Sequence, residues 1–152
     1  HLSASVVQTV PVSIYNNVLR NCKGDGVAVW RSGASAAAPI PDVRHNTIIA
    51  PIGGDGIDIR SSVNSCMVRG NILAGGRVAA SNCVVGGNML GEVDTQRFRD
   101  AGKRDYRLTA DSPAVNGATG SCPSVDLLGT SRPSERCDQG AFEFVQAGEE
   151  DK

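Results

Sequence analysis

Apolar and polar positions along the chain recur in two kinds of short block. Four segments place an apolar residue three before an asparagine and another two after it. They are Ile14-Tyr15-Asn16-Asn17-Val18-Leu19, Val43-Arg44-His45-Asn46-Thr47-Ile48, Val68-Arg69-Gly70-Asn71-Ile72-Leu73 and Val85-Gly86-Gly87-Asn88-Met89-Leu90. Their anchors Asn17, Asn46, Asn71 and Asn88 stand 29, 25 and 17 positions apart. A second block lies between them: Gly24-Asp25-Gly26-Val27-Ala28-Val29 is echoed by Gly54-Asp55-Gly56-Ile57-Asp58-Ile59 and more weakly by Gly75-Gly76-Arg77-Val78-Ala79-Ala80. The alternation turns Val27/Val29 and Ile57/Ile59 to one face and leaves Ala28, Trp30, Asp58 and Arg60 on the other.

Burial explains what such blocks build. One turn of chain with two short strands cannot cover its own apolar side chains, whereas stacked coils make inward columns, Ile14/Val43/Val68/Val85 and Leu19/Ile48/Leu73/Leu90. The spacing in the twenties suits coils whose surface loops vary, and Ala34 to Pro41 is the insertion that lengthens the first interval. Asparagine at the bend tolerates left-handed backbone, and amides in successive coils can bond one another as a ladder. The competing reading is a β-sandwich with four asparagine turns. Cys66 and Cys83 each lie five residues before a ladder asparagine, so their strands stack about 4.8 Å apart, within reach of a disulfide. A bridge and a buried pair of free thiols both fit. Cys22 has no evident partner and reads as a small buried hydrophobe.

Composition narrows the class. The 152 residues suit one domain; apolar residues are 40%, charged residues 20% and aromatics only 4%, with Gly at 18. That balance fits stacked strands and turns. With Lys+Arg 15 against Asp+Glu 16 the net charge is -1, and no basic cluster marks a nucleic-acid or membrane surface. No apolar stretch approaches the ~20 residues of a membrane span. Five cysteines without a C-x-x-C pair, and only His1 and His45 as imidazoles, make disulfides in an exported protein a better reading than zinc. Residues 6–93 are assigned to the coils, with only Val6 to Val10 ahead of the first. Either the chain is cut from a longer β-helix, or another copy covers that open end as a homo-oligomer.

From Asp94 the vocabulary changes. Phe98-Arg99-Asp100, Asp105-Tyr106-Arg107-Leu108, Ser112-Pro113-Ala114-Val115-Asn116-Gly117-Ala118, Asp126-Leu127-Leu128-Gly129 with Arg132-Pro133, and Asp138-Gln139-Gly140-Ala141-Phe142-Glu143 follow in order. Together with the coils, from Val12 to Phe144, they resemble the right-handed parallel β-helix superfamily typified by pectate lyases, ending in the tail of secreted bacterial β-helix proteins. Asn116 departs from that tail, where Asp is commoner, as do Cys122 and Cys137. The resemblance implies an all-β, right-handed parallel β-helix of about three to four coils, secreted, periplasmic or on the cell surface. It assigns 94–145 to an irregular cap covering the last coil, and the acidic, Gly-containing stretch 146–152 is expected to be a disordered tail. Cys122 and Cys137 enclose a Pro/Ser/Gly-rich loop, and a bridge there contributes about 3 kcal/mol on chain entropy. Arg132 with Asp126, Asp138 and Glu143 is expected to form the segment's internal polar network.

Three chemical readings compete for the outer surface. Gly53-Gly54-Asp55-Gly56-Ile57-Asp58-Ile59 resembles the stretch of polygalacturonases that carries a catalytic aspartate, onto which Asp55 maps. A glycosidase needs a second carboxylate across the scissile bond, and that family's paired aspartates, Gly-His-Gly and Arg-Ile-Lys motifs are missing. Gly24-Asp25-Gly26 repeats the pattern one coil earlier, which marks it as turn chemistry. A minimal or truncated lyase or hydrolase using Asp55 and Asp58 is the alternative function, with calcium on stacked Asp25 and Asp55 as its conceivable cofactor. The preferred reading is a non-catalytic extracellular module, self-associating or binding polysaccharide through Trp30, Asp58 and Arg60. In the inferred register Trp30 sits over Arg60, where it can stack on a sugar ring or pack on the loop at Ala34 to Ala38.

Overall fold

A computed structural model describes residues 12–31, 40–61 and 66–146. The Val6–Val10 strand, the insertion as far as position 39 and the tail from position 147 lie outside the described residues. Among the described residues the chain is all-β apart from one short 3-10 helix. Strands β1 (Ser13–Tyr15), β2 (Val18–Arg20), β3 (Lys23–Gly24) and β4 (Val27–Arg31) make the first coil. The second holds β5 (Asp42–Arg44), β6 (Thr47–Ile49), β7 (Ile52–Gly53) and β8 (Ile57–Ser61). The third holds β9 (Met67–Arg69), β10 (Ile72–Ala74) and β11 (Val78–Ala80), and a partial fourth holds β12 (Val84–Gly86) and β13 (Met89–Gly91).

Like strands stack in parallel into a first sheet β1-β5-β9-β12, a second β2-β6-β10-β13, a third β4-β8-β11 and a minor pair β3-β7. This is a parallel β-helix of three to four coils. Each asparagine segment, read above as one strand, is two strands divided at the bend, so a coil has three main strands. The register sets Ile14 on Val43, Val43 on Val68 and Val68 on Val85, with the second column running Leu19, Ile48, Leu73, Leu90. Val43, Ile48, Ile57, Ile59, Val68 and Leu73 are sealed in one core.

The bend between first and second sheets is built by two adjacent columns. The left-handed residue is the one before each ladder asparagine: Asn16 (φ 56), His45 (φ 50), Gly70 (φ 63) and Gly87 (φ 58). This corrects the expectation that the ladder residue itself takes that geometry; Asn, His and Gly are the types that tolerate it. The ladder asparagine turns inward. The Asn71 side-chain oxygen accepts from the Asn46 backbone N–H and side-chain amide, both at 3.0 Å. Asn88 serves Asn71 at 3.0 and 2.8 Å, and Asn46 serves Asn17 at 3.1 and 2.9 Å. Each amide nitrogen also donates to a carbonyl of the coil before, Asn46 to Ile14 and Asn71 to Val43 at 2.9 Å. A coil corner buried between two sheets thereby keeps its polar groups paired.

The segment after β13 covers the flank of the stack and leaves the foot of its inward columns open. It passes through the 3-10 helix η1 (Val93–Gln96) and an antiparallel hairpin, β14 (Phe98–Asp100) with β15 (Asp105–Leu108), then runs along the flank. Its apolar residues bury the outward face of the second sheet, with Tyr106, Phe98 and Phe142 around Ile49 and Ala74, and Leu108 and Ala114 against Ile72. Hydrogen bonds between strap and coils reach every coil: Asn16 Nδ2 to Val125 O (2.7 Å), Gly140 N to Gly70 O (2.8 Å), Ala141 N to Thr47 Oγ1 (2.9 Å) and Gln139 Nε2 to Gly87 O (2.7 Å). The reason is local. Thr47-Ile48-Ile49 and Ile72-Leu73-Ala74 are buried throughout, so both faces of the second sheet need cover, and this strap supplies the outer one. Val85 and Leu90, at the foot of the inward columns, stay 47% and 56% exposed.

Both bridges are present. Cys66–Cys83 ties the third coil to the fourth with Cα atoms 4.4 Å apart, and Cys122–Cys137 closes a loop of the strap at 6.2 Å. Two disulfides point to an oxidising, extracytoplasmic setting. Cys22, expected as a buried hydrophobe, is a half-buried free thiol.

The ladder yields the first prediction. Asn71→Ala removes one acceptor serving two donors, leaves the buried Asn46 N–H unpaired and takes one of the donors from the carbonyls of Val43 and Arg69, so urea unfolding should show a loss of about 3 kcal/mol. Asn17→Ala, at the exposed end of the ladder, should cost about 1 kcal/mol. Equal losses at both positions would mean the ladder is not what holds the corner.

Candidate functional site

The third sheet presents the residues singled out from the sequence. In register Trp30 lies against Arg60, and Ala28 and Ala79 flank Asp58. Inward Val27, Ile57 and Ile59 are buried, and the alternation forces Trp30, Asp58 and Arg60 to the outer face. Trp30 is 54% exposed, and the Arg60 guanidinium carbon sits 5.3 Å from its ring centroid, a cation–π distance. The Arg60 Nε lies 2.7 Å from the Asp58 carboxylate, which is nearly all buried while the arginine stays largely exposed. Three side chains thus form one relay: buried Asp58 orients Arg60, and Arg60 steadies an exposed indole.

Asp55 stands apart from that face, in the turn column that enters the third sheet. Its backbone N–H donates to the Asp25 carboxylate at 2.8 Å, and its own carboxylate accepts from Arg77 of the next coil. Arg77, which the register stacks on Gly56, one position beyond Asp55, was not read as its partner from sequence. Gly26 closes the logic of the Gly-Asp-Gly turn, since a Cβ there would lie 2.6 Å from Ile48 Cγ2. Asp25 and Asp55 are therefore occupied in stacking turns. Only Asp58 of the two candidate acids joins the face of Trp30.

A second aromatic–arginine pair escaped the sequence reading. Arg44 lies 5.5 Å over the half-exposed Tyr15 ring on the first sheet. Arg69 stacks in register below Arg44, and Asp42 pairs with both at 3.3 and 3.7 Å. Their shared place, two before the ladder asparagine, was the available signal. Arg69 Nη2 donates to Ser121 Oγ at 3.2 Å, so this column clasps the strap.

The expected polar network of the strap is present and buried. Arg132 donates to Glu143 (2.7 Å) and to the carbonyls of Asp138 (3.0 Å) and Gly140 (2.8 Å). Asp138 accepts the Asn116 N–H and Asp126 the Glu143 N–H. Burial pushes the Glu143 carboxyl up to about 7, against the hydrogen bond from the Asp138 amide and the Arg132 charge. His45 packs beside this network, its Nδ1 3.1 Å from the Asp138 carbonyl. Burial, and next the Arg132 charge, hold it down at about 4. One nitrogen of His45 and the sulfurs of Cys122 and Cys137 lie within 4.8 Å of one another, but those thiols are consumed in the bridge. The group is a packed imidazole on a cystine.

Compared with known proteins, the chain matches no protein-family model and no curated protein.

The two shifted groups oppose each other. Below 6.5 an unfolded histidine binds a proton that folded His45 refuses until about 4, so stability falls with pH in that window. Folded Glu143 holds a proton from about 7 down to its ordinary 4.5, so its contribution rises as pH falls. The Glu143→Gln variant should expose the histidine limb, losing about 3 kcal/mol between pH 6.5 and 4 in denaturant titrations. His45→Asn, a residue suited to the left-handed bend, should show the reverse slope. Parallel profiles for the two variants would contradict these assignments.

Proposed function

We propose that this chain is a non-catalytic β-helix domain, exported to the cell surface, the periplasm or the medium, that binds polysaccharide on its third sheet. The observation carrying this reading is Trp30: its indole is more than half exposed, on a regular sheet face, with Arg60 stacked at 5.3 Å and oriented by buried Asp58. An exposed ring beside fixed charged donors offers a sugar both a stacking face and hydrogen bonds. Hydrolysis or elimination is less favoured. Asp55 is bound by Arg77 and Asp58 by Arg60, which gives both acids turn and positioning roles.

Trp30 is the chain's single tryptophan, so its fluorescence reports on the site directly. Titration with a panel of neutral and acidic polysaccharides should shift the emission for at least one, and Trp30→Ala should weaken that ligand in calorimetry by at least about tenfold. Arg60→Ala should weaken it less and lower the melting temperature by leaving the buried Asp58 carboxylate without its partner, whereas Trp30→Ala should melt near the wild type. Unchanged emission across the panel contradicts the reading. So does release of sugar fragments that Asp55→Asn or Asp58→Asn abolishes, which would favour the enzyme.

A further inference from the structure

We propose that the open foot of the coil stack is a homodimer interface, where two copies of this chain meet tail to tail. Column partners higher in the stack are sealed: Val43 and Val68 are 0% exposed, Ile48 1% and Leu73 0%. Their counterparts Val85 and Leu90 are half-exposed, although they continue the same inward columns. Among the described residues no further coil is added there, because the segment after β13 leaves for the outer flank of the second sheet. Parallel edge strands with an open core are where another chain adds itself, and proteins that avoid this place charges or proline at the edge.

Here those devices are missing. From Val78 to Gly91 there is no charged residue and no proline, whereas the coils above carry Arg20, Lys23, Asp25, Asp42, Arg44, Asp58, Arg60 and Arg69. The occupant follows from that charge pattern. A two-fold contact sets each surface against itself, so any charge would face its own like. An uncharged apolar edge is compatible with its own copy. A two-fold arrangement also closes after two chains, leaving no second foot to extend. The interface lies at the end of the stack, away from the outward column of Trp30 and Arg60, and stands whether or not that column binds sugar.

The test is light scattering on the non-reduced protein over a concentration range. The expected result is twice the 15.8 kDa chain mass, with Leu90→Lys returning the monomer. Leu128→Lys, at a still more exposed leucine on the strap, should leave the dimer intact. Val84→Lys, whose side chain is 71% exposed on the same last coil and so is indifferent to folding, should weaken the dimer at least about tenfold. Thermal melts verify that each variant is folded. A wild-type monomer at the highest concentration overturns the proposal, as does an assembly that both Leu90→Lys and Val84→Lys leave intact.

Discussion

The fold depends on one constraint: a buried corner between two strands must pair its backbone groups without leaving the coil. A side-chain amide solves this three times over, at Asn46, Asn71 and Asn88. Its oxygen accepts two donors from the coil above, and its nitrogen returns a bond to that coil's carbonyls. Because each bond joins neighbouring coils, the corner fixes the register of the first and second sheets together. A slip by one residue would put the amide in the core and an apolar residue at the bend. The left-handed residue just ahead of it completes the division of labour, one position supplying backbone geometry and the next supplying hydrogen bonds.

That register then decides where the rest of the molecule goes. It places two consecutive runs, Thr47–Ile49 and Ile72–Ala74, with apolar side chains on both faces of the second sheet. The inner face closes on itself and the outer face needs a partner, which the strap from Val93 onward supplies. Burying an isoleucine such as Ile72 stabilises by roughly 1.5–3 kcal/mol, so the flank competes well with the foot of the stack for the strap's aromatic residues. The buried Arg132 network holds the strap's own turns, and Arg44 and Arg69 clasp it through Ser121. The third sheet stays clear of these contacts, and its outward residues are those the sequence nominated.

Much of this was legible in the sequence, and the parts that were not have physical reasons. The columns could be read because inward positions recur at fixed offsets from an asparagine; the repeated Gly-Asp-Gly block sets Trp30 over Arg60 in the same way. Stacked cysteines are legible as neighbours but not as a bond, since a 4.8 Å spacing suits thiols and cystine alike. The place of the strap was not read. A tail that follows a repeat suggests a cap on its last coil, yet the unbroken apolar run Thr47-Ile48-Ile49 already signalled a sheet covered on both faces. Arg77 was missed as the partner of Asp55 because it stands in the neighbouring column of Gly26 and Gly56 and reaches the acid diagonally across coils.

Coil and strap are held here to be one cooperative unit, locked through the corner column. Native-state hydrogen exchange tests this most directly. The amides of Asn46 and Ile72, inside the ladder and the second sheet, and those of Gly140 and Ala141, which bond Gly70 and Thr47 from the strap, should exchange through the same global opening with matching protection. Strap amides that exchange orders of magnitude faster, while Asn46 and Ile72 stay protected, would show the strap to be a loose cover and the coils to stand without it.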